Sequence, residues 1–199
     1  MDTARFSLGE RPAVLRERLG IAPESFVVGT VGKIAPGRGH AKAMEAVAAL
    51  PSRVALLHVG KGEHQPALEA RAAALGILDR NVWAGYQEES LPELYRAMDV
   101  FLFAASGSDQ GQRAILEAMA SGLPVVALDM PGVRDLVTEG DQGFVARSLE
   151  GLATGLRRLF EDRELRVRFG RRARTRAKEF TAATFAAKAR DFYEGLPLR

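Results

Sequence analysis

Short apolar runs alternate along the chain with segments in which apolar residues recur every three or four positions. The runs predict strands at Phe26–Ile34, Val54–Gly60, Val82–Gly85, Val100–Ala104 and Pro124–Leu128, with a shorter sixth candidate at Gly143–Val145. Several are apolar at every position, which is typical of strands covered on both faces. The periodic segments predict helices at Ala41–Leu50, Glu63–Leu75, Leu91–Met98, Gln112–Ser121, Val133–Thr138, Leu149–Phe160, Arg163–Lys178 and Thr181–Tyr193.

This alternation of strands and helices predicts an α/β fold, a doubly wound parallel sheet with helices on both faces. The pattern shows no repeat and no internal boundary, so residues 1–199 are expected to form one domain. Residues 1–22 are predicted to be a lead-in segment with a short helix at Pro12–Leu19. A chain of 199 residues is long enough to bury a full core.

The composition narrows the classes of function. The chain is 47% hydrophobic and 27% charged, as is normal for a globular protein in water. It has no cysteine, and its three histidines lack the spacing of ligands, so we expect no metal. A net charge of only +3, without basic runs interleaved with aromatics, argues against nucleic acid as a partner. With no long apolar run and no visible signal peptide, a cytoplasmic location is expected.

A glycine-rich segment follows the first predicted strand and precedes a helix. It runs from Gly32 to His40 with the sequence GKIAPGRGH. Glycines allow the backbone to approach a ligand closely, and a helix N-terminus favours an anion. Because Lys33 and Arg38 bring two cations to the same place, the segment is predicted to bind phosphate groups.

Two common phosphate-binding patterns do not fit this segment. Gly32 and Gly37 match the P-loop pattern, but Arg38 and Gly39 stand where lysine and the magnesium-binding hydroxyl residue are required. The dinucleotide pattern G-x-G-x-x-G is absent, and the second strand has no acidic residue at its end to bind a ribose. These departures argue against a kinase-like NTPase and against an NAD-dependent enzyme.

A second candidate segment, residues 106–127, carries two acidic residues eight positions apart. Asp109 precedes a predicted helix, and Glu117 lies within that helix. Eight residues of helix span about 12 Å, so the two cannot share a proton as the acid pair of a glycosidase does. A loop acid beside a helix N-terminus instead offers carboxylates and backbone N–H groups to a polar, phosphate-bearing ligand.

Both segments resemble motifs of the family-4 retaining glycosyltransferases. The acidic segment is similar to their E-x7-E signature, with Asp109 as the first acid, and the glycine segment to their G-R-x-x-x-x-K-G motif with its two cation types exchanged. Residues 81–87 resemble V-x-F-x-G-x-V, and residues 2–6 resemble the V-D-T-x-x-F segment. The likeness extends to about Tyr193. It implies the C-terminal, Rossmann-like donor-binding domain of a GT-B fold.

The resemblance assigns roles to the matching residues. Lys33 and Arg38 would hold the diphosphate of the donor, and Glu117 would accept hydrogen bonds from the ribose. Asp109 would reach the transferred sugar. With these four as the catalytic set, the expected donor contacts are completed by Gly32, Tyr86, Gln87, Gln110, Gly111, Gln112 and Arg113. Tyr86 and Gln87 would line the base pocket, and Arg113 would be a third cation near the phosphates.

The implied activity is transfer of a sugar from a nucleoside diphosphate sugar to an acceptor hydroxyl, with retention of configuration and without metal or another cofactor. Family members carry a second, N-terminal domain that binds the acceptor, and the 199 residues are not expected to include it. The helix at 181–193 would cross to that domain. The chain alone is therefore expected to be inactive.

Residues 163–178 contain eight basic residues and a single acid. Such a segment is either a solvated helix face or a contact with an anionic membrane, which would place the protein peripherally on the inner face of the membrane.

Two other functions remain open on the same scaffold. One is a non-catalytic nucleotide-binding or regulatory module, and the other is one half of a sugar-nucleotide epimerase of the GT-B fold, because a fold alone does not decide function.

Overall fold

Six parallel strands form one sheet in the computed structural model, which describes residues 5–105 and 111–194. They are β1 (Phe26–Val31), β2 (Val54–Val59), β3 (Asn81–Gly85), β4 (Val100–Phe103), β5 (Val125–Leu128) and β6 (Gly143–Ala146). Their order across the sheet is β3-β2-β1-β4-β5-β6. This is the strand order of a Rossmann-like sheet, so the predicted fold class is confirmed.

Helices connect the strands at nearly the predicted positions. They are α1 (Ala13–Arg18), α2 (His40–Ala48), α3 (Gln65–Ala74), α4 (Leu91–Arg96), α5 (Gly111–Ala120), α6 (Val133–Leu136), α7 (Leu149–Glu161), α8 (Arg163–Ala177) and α9 (Ala182–Glu194), with single 3-10 turns at Leu78–Arg80 and Lys178–Phe180. The largest error in the prediction concerns β1, which ends at Val31 and not at Ile34. Ile34 is fully buried, but it packs beneath the turn that follows the strand.

The core lies on both faces of the sheet because successive strand residues point to opposite faces. In β4, Val100 and Leu102 join the cluster packed against α2, α3 and α7, whereas Phe101 and Phe103 join the cluster packed against α4 and α5. Strands buried on both faces explain why the sequence shows continuous apolar runs and no alternation with polar residues.

The residues before β1 belong to the same core. The ring of Phe6 packs edge-on against Tyr95 at 5.7 Å between ring centres, and Leu15 and Ile21 are also buried. Residues 5–22 of the predicted lead-in segment are thus an integral part of the domain.

A crevice opens where the strand order reverses, between β1 and β4. The helix that follows β1, α2, covers one face of the sheet, and the helix that follows β4, α5, covers the other. The two connecting segments therefore diverge at the carboxyl ends of these neighbouring strands, which is where α/β sheets bind ligands.

Candidate functional site

A cleft of about 890 Å³ lies at this edge of the sheet. Its walls come from the segments that follow β1, β2 and β3 and from the first turns of α5. The described lining carries four basic side chains, Arg5, Lys33, Lys61 and Arg113, and three acidic ones, Glu63, Glu88 and Glu117. Mixed charge of this kind suits a ligand that has both anionic and hydroxyl groups.

Backbone hydrogen bonds connect the segments that form the cleft. Gly32 N–H donates to the carbonyl of Val59 at 2.9 Å, and Gly60 N–H donates to that of Gly85 at 2.8 Å. At Gly60, where φ is +143°, a Cβ atom would lie only 1.9 Å from the carbonyl oxygen of Gly32. The close approach of these two strand ends therefore requires glycine at position 60.

The glycine-rich segment also contacts the chain that leaves β4. Gly39 has φ of +88°, and a Cβ atom there would lie 2.4 Å from backbone atoms of Ala104 and Ala105. Since Ala104 and Ala105 lead directly to the acidic segment, the two motifs found in the sequence are neighbours in space. Of the residues predicted from these motifs, Lys33 and Glu117 both line the cleft.

Glu117 is a buried carboxylate in the wall of the cleft. Its residue is only 4% exposed, yet it lines the cleft. The hydroxyl of Tyr95 donates to its Oε2 at 3.0 Å, and the Nε of Arg113 donates to its Oε1 at 2.8 Å. Burial and, secondarily, the Glu117 charge hold the pKa of Tyr95 well above its usual value, so this hydroxyl stays protonated and remains a donor.

The sequence-predicted site residues fall into three groups. Gly32, Lys33, Tyr86, Gln87, Arg113 and Glu117 all line the cleft. Arg38 is half-buried in the same turn as Lys33 but is not part of the described lining. Asp109 and Gln110 lie outside the described residues, and the backbones of Gly111 and Gln112 form the first turn of α5.

Sequence reasoning missed Lys61 and Tyr95. The Nζ of Lys61 lies 5.1 Å from the centre of the Tyr86 ring, so it belongs to the wall that the base was predicted to contact. A signal was present: β1 continues into Val31-Gly32-Lys33, and β2 continues into Val59-Gly60-Lys61. The same tripeptide at the ends of two paired parallel strands places both lysines on one edge of the sheet.

The wall next to Lys61 is formed by the turn between β3 and α4. The side-chain amide of Gln87 donates to the carbonyl of Ala84 at 2.9 Å, and its oxygen accepts from Ser90 at 2.6 Å. Tyr86 in the same turn is exposed. Gln87 therefore fixes the turn, and Tyr86 presents an open aromatic surface to the cleft.

A buried histidine pair lies behind the glycine-rich segment. His58, in β2, is fully buried, and its Nδ1 lies 3.0 Å from the Nδ1 of His40. Asn81 donates to the carbonyl of Ile77, so its Oδ1 must accept from the Nε2 of His58, at 2.9 Å. His58 then accepts from His40 through Nδ1. These hydrogen bonds assign His58 as neutral and His40 as a donor through Nδ1.

Burial lowers the pKa values of both histidines, to about 4 for His40 and about 3 for His58. The neighbouring imidazole lowers the pKa of His58 further, although Asn81 opposes this. His58 also stacks on Trp83 at 4.1 Å between ring centres. The pair is a structural link from α2, at the end of the glycine-rich segment, to β2 and β3.

The described residues show no group of three or more histidine or acidic side chains that could hold a metal ion. In the same part of the chain, no helix has the length and apolarity needed to span a bilayer.

In the basic helix α8, Arg172 forms an ion pair with Asp141, and Arg176 forms one with Glu179.

Comparison with known proteins identifies the family. Residues 13–176 match the family described as "Glycosyl transferases group 1". The lipopolysaccharide core biosynthesis glycosyltransferase LpsE of Rhizobium meliloti (strain 1021) is 33% identical over 166 residues, which cover 82% of this chain and 48% of that protein. The chain spans about half the length of the curated relatives it matches.

Solved structures agree with this match. Anabaena Alr3699/HepE in complex with UDP and glucose has a TM-score of 0.88 and 26% identity, over 98% of this chain and 55% of that one. The C-terminal domain of the group 1 glycosyl transferase LpcC from Francisella tularensis, 21% identical, has the same fold, with a TM-score of 0.79 over 90% of this chain and 97% of that domain. The resemblance to the C-terminal domain of GT-B glycosyltransferases is confirmed, and the chain belongs to the glycosyl transferases group 1 family.

Proposed function

We propose that this chain is the donor-binding half of a retaining glycosyltransferase, which transfers a sugar from a nucleoside diphosphate sugar to an acceptor hydroxyl. The observation that carries the proposal is that Lys33 and Glu117, from two motifs 84 positions apart, line the same cleft at the carboxyl edge of the sheet. The Anabaena neighbour, which was crystallised with UDP and glucose, supports a nucleotide sugar as the ligand.

The chemistry proposed for this cleft is stabilisation of the leaving diphosphate. Breaking the bond between sugar and phosphate places negative charge on the diphosphate, next to Lys33 and Arg38. The first turn of α5, from Gly111, adds backbone N–H groups that have no partner within the helix. Two such donors, at roughly 3–4 kcal/mol each, would accelerate transfer by about 10⁴–10⁶. This source of stabilisation needs no metal ion.

Positioning of the donor is assigned to the acidic residues. Glu117 is held in place by Tyr95 and Arg113 and would accept hydrogen bonds from the ribose hydroxyls. Asp109 would contact the transferred sugar. The open ring of Tyr86 beside Lys61 would cover the base. Fixing the donor in one orientation lowers the entropy cost of reaching the transition state.

The complete enzyme would need an acceptor-binding domain in addition to this chain. Phe192 and Tyr193, near the end of α9, are exposed large aromatics and suit a contact with such a domain. The chain alone is therefore expected to bind donor and to transfer little or no sugar. A cytoplasmic location and a membrane contact through residues 163–178 stay predictions.

Calorimetric titration of the chain with UDP, GDP and ADP tests donor binding. We expect at least one of them to bind, and the double variant Lys33→Ala/Arg38→Ala to weaken that binding at least tenfold, since hydrogen bonds to charged groups contribute about 1.5–3 kcal/mol each. Arg147→Ala is the matched control because Arg147 is exposed and is absent from the lining of the cleft. Absence of binding at millimolar concentration, or binding unaffected by the double variant, would contradict the proposal.

Transfer itself is tested with the chain joined to an acceptor-binding domain. The expected product keeps the anomeric configuration of the donor, as read from the proton coupling of the new glycosidic bond, and forms at an unchanged rate in the presence of EDTA. Nucleotide binding without transfer would favour a regulatory module, and interconversion of the nucleotide sugar would favour an epimerase.

A further inference from the structure

A second polar cavity lies at the opposite edge of the sheet from the donor cleft. Its volume is about 470 Å³. Phe26, the first residue of β1, and Asp99, which immediately precedes β4, both line it, so it sits at the amino ends of these strands. We call this cavity the arginine pocket because Arg11, Arg53, Arg163 and Arg166 all line it.

The positive charge of the arginine pocket exceeds its negative charge. Among the described lining residues the carboxylates are Asp99 and Glu24. Asp99 already forms an ion pair with Arg11 and accepts a hydrogen bond of 2.9 Å from the backbone N–H of Val27. Glu24 is exposed at the surface. The pocket thus has four guanidinium groups and two carboxylates, of which one is already paired and the other is solvated.

A fifth arginine lies next to the pocket, and two of its side-chain nitrogens have no hydrogen-bond partner among the described residues. Arg16 is only 2% exposed. One of its nitrogens donates to the carbonyl of Ser25, a lining residue, at 2.6 Å, but its Nε and Nη1 have no partner in the described part of the chain. Burying a guanidinium with unpaired N–H groups is costly. Arg16 does not itself line the pocket, so an anion there would act on it through its charge, by offsetting the repulsion between Arg16 and Arg11.

The pKa values agree with an excess of positive charge. Burial and then the charge of Arg11 lower the pKa of Arg16. Burial also lowers the pKa of Arg166, and Arg11 and Arg163 add to this effect although Asp99 opposes it. When like charges lie close together in a partly desolvated cavity, a bound counter-ion stabilises them.

Two of the arginines are held in place by aromatic rings. The guanidinium of Arg53 lies 4.5 Å from the centre of the Phe160 ring, and that of Arg166 lies 5.1 Å from the Phe26 ring and donates to the carbonyl of Leu159. Phe26 and Phe160 pack edge to face at 5.4 Å. Such stacking orders the arginine side chains before a ligand arrives, which reduces the entropy cost of binding.

We propose that the arginine pocket binds a phosphate group, either free in solution or as the headgroup of an anionic lipid. The planar forks of several guanidinium groups match the oxygens of a phosphate, with two hydrogen bonds from each arginine. The positive surface continues from Arg163 along α8 to Arg168 and Arg171, which line an adjoining shallow groove. The proposal is independent of the donor cleft, since none of the described lining residues of the arginine pocket belongs to that cleft.

Two probes distinguish the sources of phosphate. Inorganic phosphate is titrated into the ¹⁵N-labelled chain and followed by amide chemical shifts, and vesicles containing phosphatidylglycerol are compared with vesicles of phosphatidylcholine alone in a sedimentation assay. Both use a Lys33→Ala/Arg38→Ala background, which is expected to weaken binding at the donor cleft. The test variant is Arg53→Gln/Arg163→Gln. Both replaced arginines are exposed in the original chain, and the variant keeps the buried Arg16.

The matched control is Arg147→Gln/Arg158→Gln. It removes the same charge from exposed arginines, and Arg158 also lies over an aromatic ring, that of Phe144. We expect inorganic phosphate to shift amides near Ser25 and Arg163, and the test variant, unlike the control, to weaken binding at least tenfold. A second outcome is that the chain responds only to phosphatidylglycerol vesicles and not to inorganic phosphate. If the test variant, unlike the control, weakens that vesicle binding, the pocket is assigned to a lipid headgroup. Failure of both probes, or equal binding by the test variant and the control, would overturn the proposal.

Discussion

The Nε of Arg113 donates a hydrogen bond of 2.8 Å to the carboxylate of Glu117, one helical turn further along α5. The Arg113 side chain is 75% exposed, whereas the Glu117 side chain is 5% exposed. Because Tyr95 occupies the other carboxylate oxygen, both oxygens of Glu117 already have partners at the point where the ribose is proposed to bind. Only the guanidinium side of this pair is in water, so Arg113 is free to turn toward a bound diphosphate if a ribose hydroxyl replaces it as the donor to Glu117.

Replacing Arg113 should therefore affect nucleosides and nucleoside diphosphates differently. In Arg113→Ala the carboxylate of Glu117 is freed, and we expect the nucleoside of whichever diphosphate binds the chain to bind equally or more tightly. The nucleoside diphosphate itself should bind about 3- to 30-fold more weakly, because a guanidinium released toward the diphosphate is lost. Calorimetry with both ligands measures the difference. If the nucleoside diphosphate binds the variant as tightly as it binds the original chain, Arg113 is not a phosphate contact.

Tyr95 is expected to position Glu117. Tyr95→Phe leaves a buried carboxylate oxygen without its donor, which should lower the free energy of unfolding by about 1–3 kcal/mol and weaken nucleotide binding severalfold. Urea denaturation and calorimetry measure the two effects.

The matched control for Tyr95→Phe is Tyr86→Phe, since the hydroxyl of Tyr86 is exposed and contacts only Glu88 among the described residues, at 3.3 Å. This control should leave stability unchanged. Nucleotide affinity that stays the same in Tyr95→Phe would show that Glu117 does not depend on this hydrogen bond.

The sequence predicted most of the fold because local patterns determine it. Strands buried on both faces read as apolar runs, and the helix periodicity located each predicted helix to within two residues at either end. The end of β1 was misplaced because Ile34 is apolar for a tertiary reason: it is buried beneath a turn. Apolar character reports burial, and it identifies a strand only when the backbone continues extended.

The site could be predicted only where its residues form a motif. Lys33 and Glu117 were recognised from their neighbours along the chain. Tyr95, 22 positions before its partner Glu117, fell inside a predicted helix without a predicted role, because the pairing arises when α4 and α5 pack on the same side of the sheet. Likewise the link from His40 to His58 depends on contacts between elements and leaves no sequence pattern.

Gly39 should be intolerant of a side chain. Gly39→Ala requires a left-handed backbone, which costs about 1–2 kcal/mol, and also places a methyl group against the backbone of Ala104 and Ala105. We expect a loss of more than about 3 kcal/mol in the free energy of unfolding, measured by urea denaturation.

Gly76→Ala separates these two causes. Gly76 also has a positive φ, +67°, but a Cβ atom there meets nothing within 4 Å. Only the conformational cost, about 1 kcal/mol, should appear. Equal losses in the two variants would mean that the glycine-rich segment does not press against the chain leaving β4.

The stability of the domain should fall as the pH drops from 7 to 5, because of the histidine pair. An unfolded histidine binds a proton near pH 6.5, whereas the folded values are about 4 for His40 and about 3 for His58. Between these limits the unfolded state binds more protons, so the free energy of unfolding decreases as pH falls. Linkage gives about 2 kcal/mol for each imidazole between pH 7 and pH 5.

Urea denaturation at the two pH values measures this effect in the original chain and in His40→Met/His58→Phe. The phenylalanine keeps a ring against Trp83, and neither new side chain titrates, so the difference between pH 7 and pH 5 should shrink by several kcal/mol whatever the stability at pH 7. Each single variant should remove about half of the pH-dependent difference that the double variant removes. The control is His64→Gln, which replaces the third, less buried histidine. This variant should preserve most of the difference in the free energy of unfolding between pH 7 and pH 5. If the double variant keeps the full dependence on pH, the two rings are not neutral partners in the folded protein, and the assigned hydrogen bonds from Asn81 through His58 to His40 are wrong.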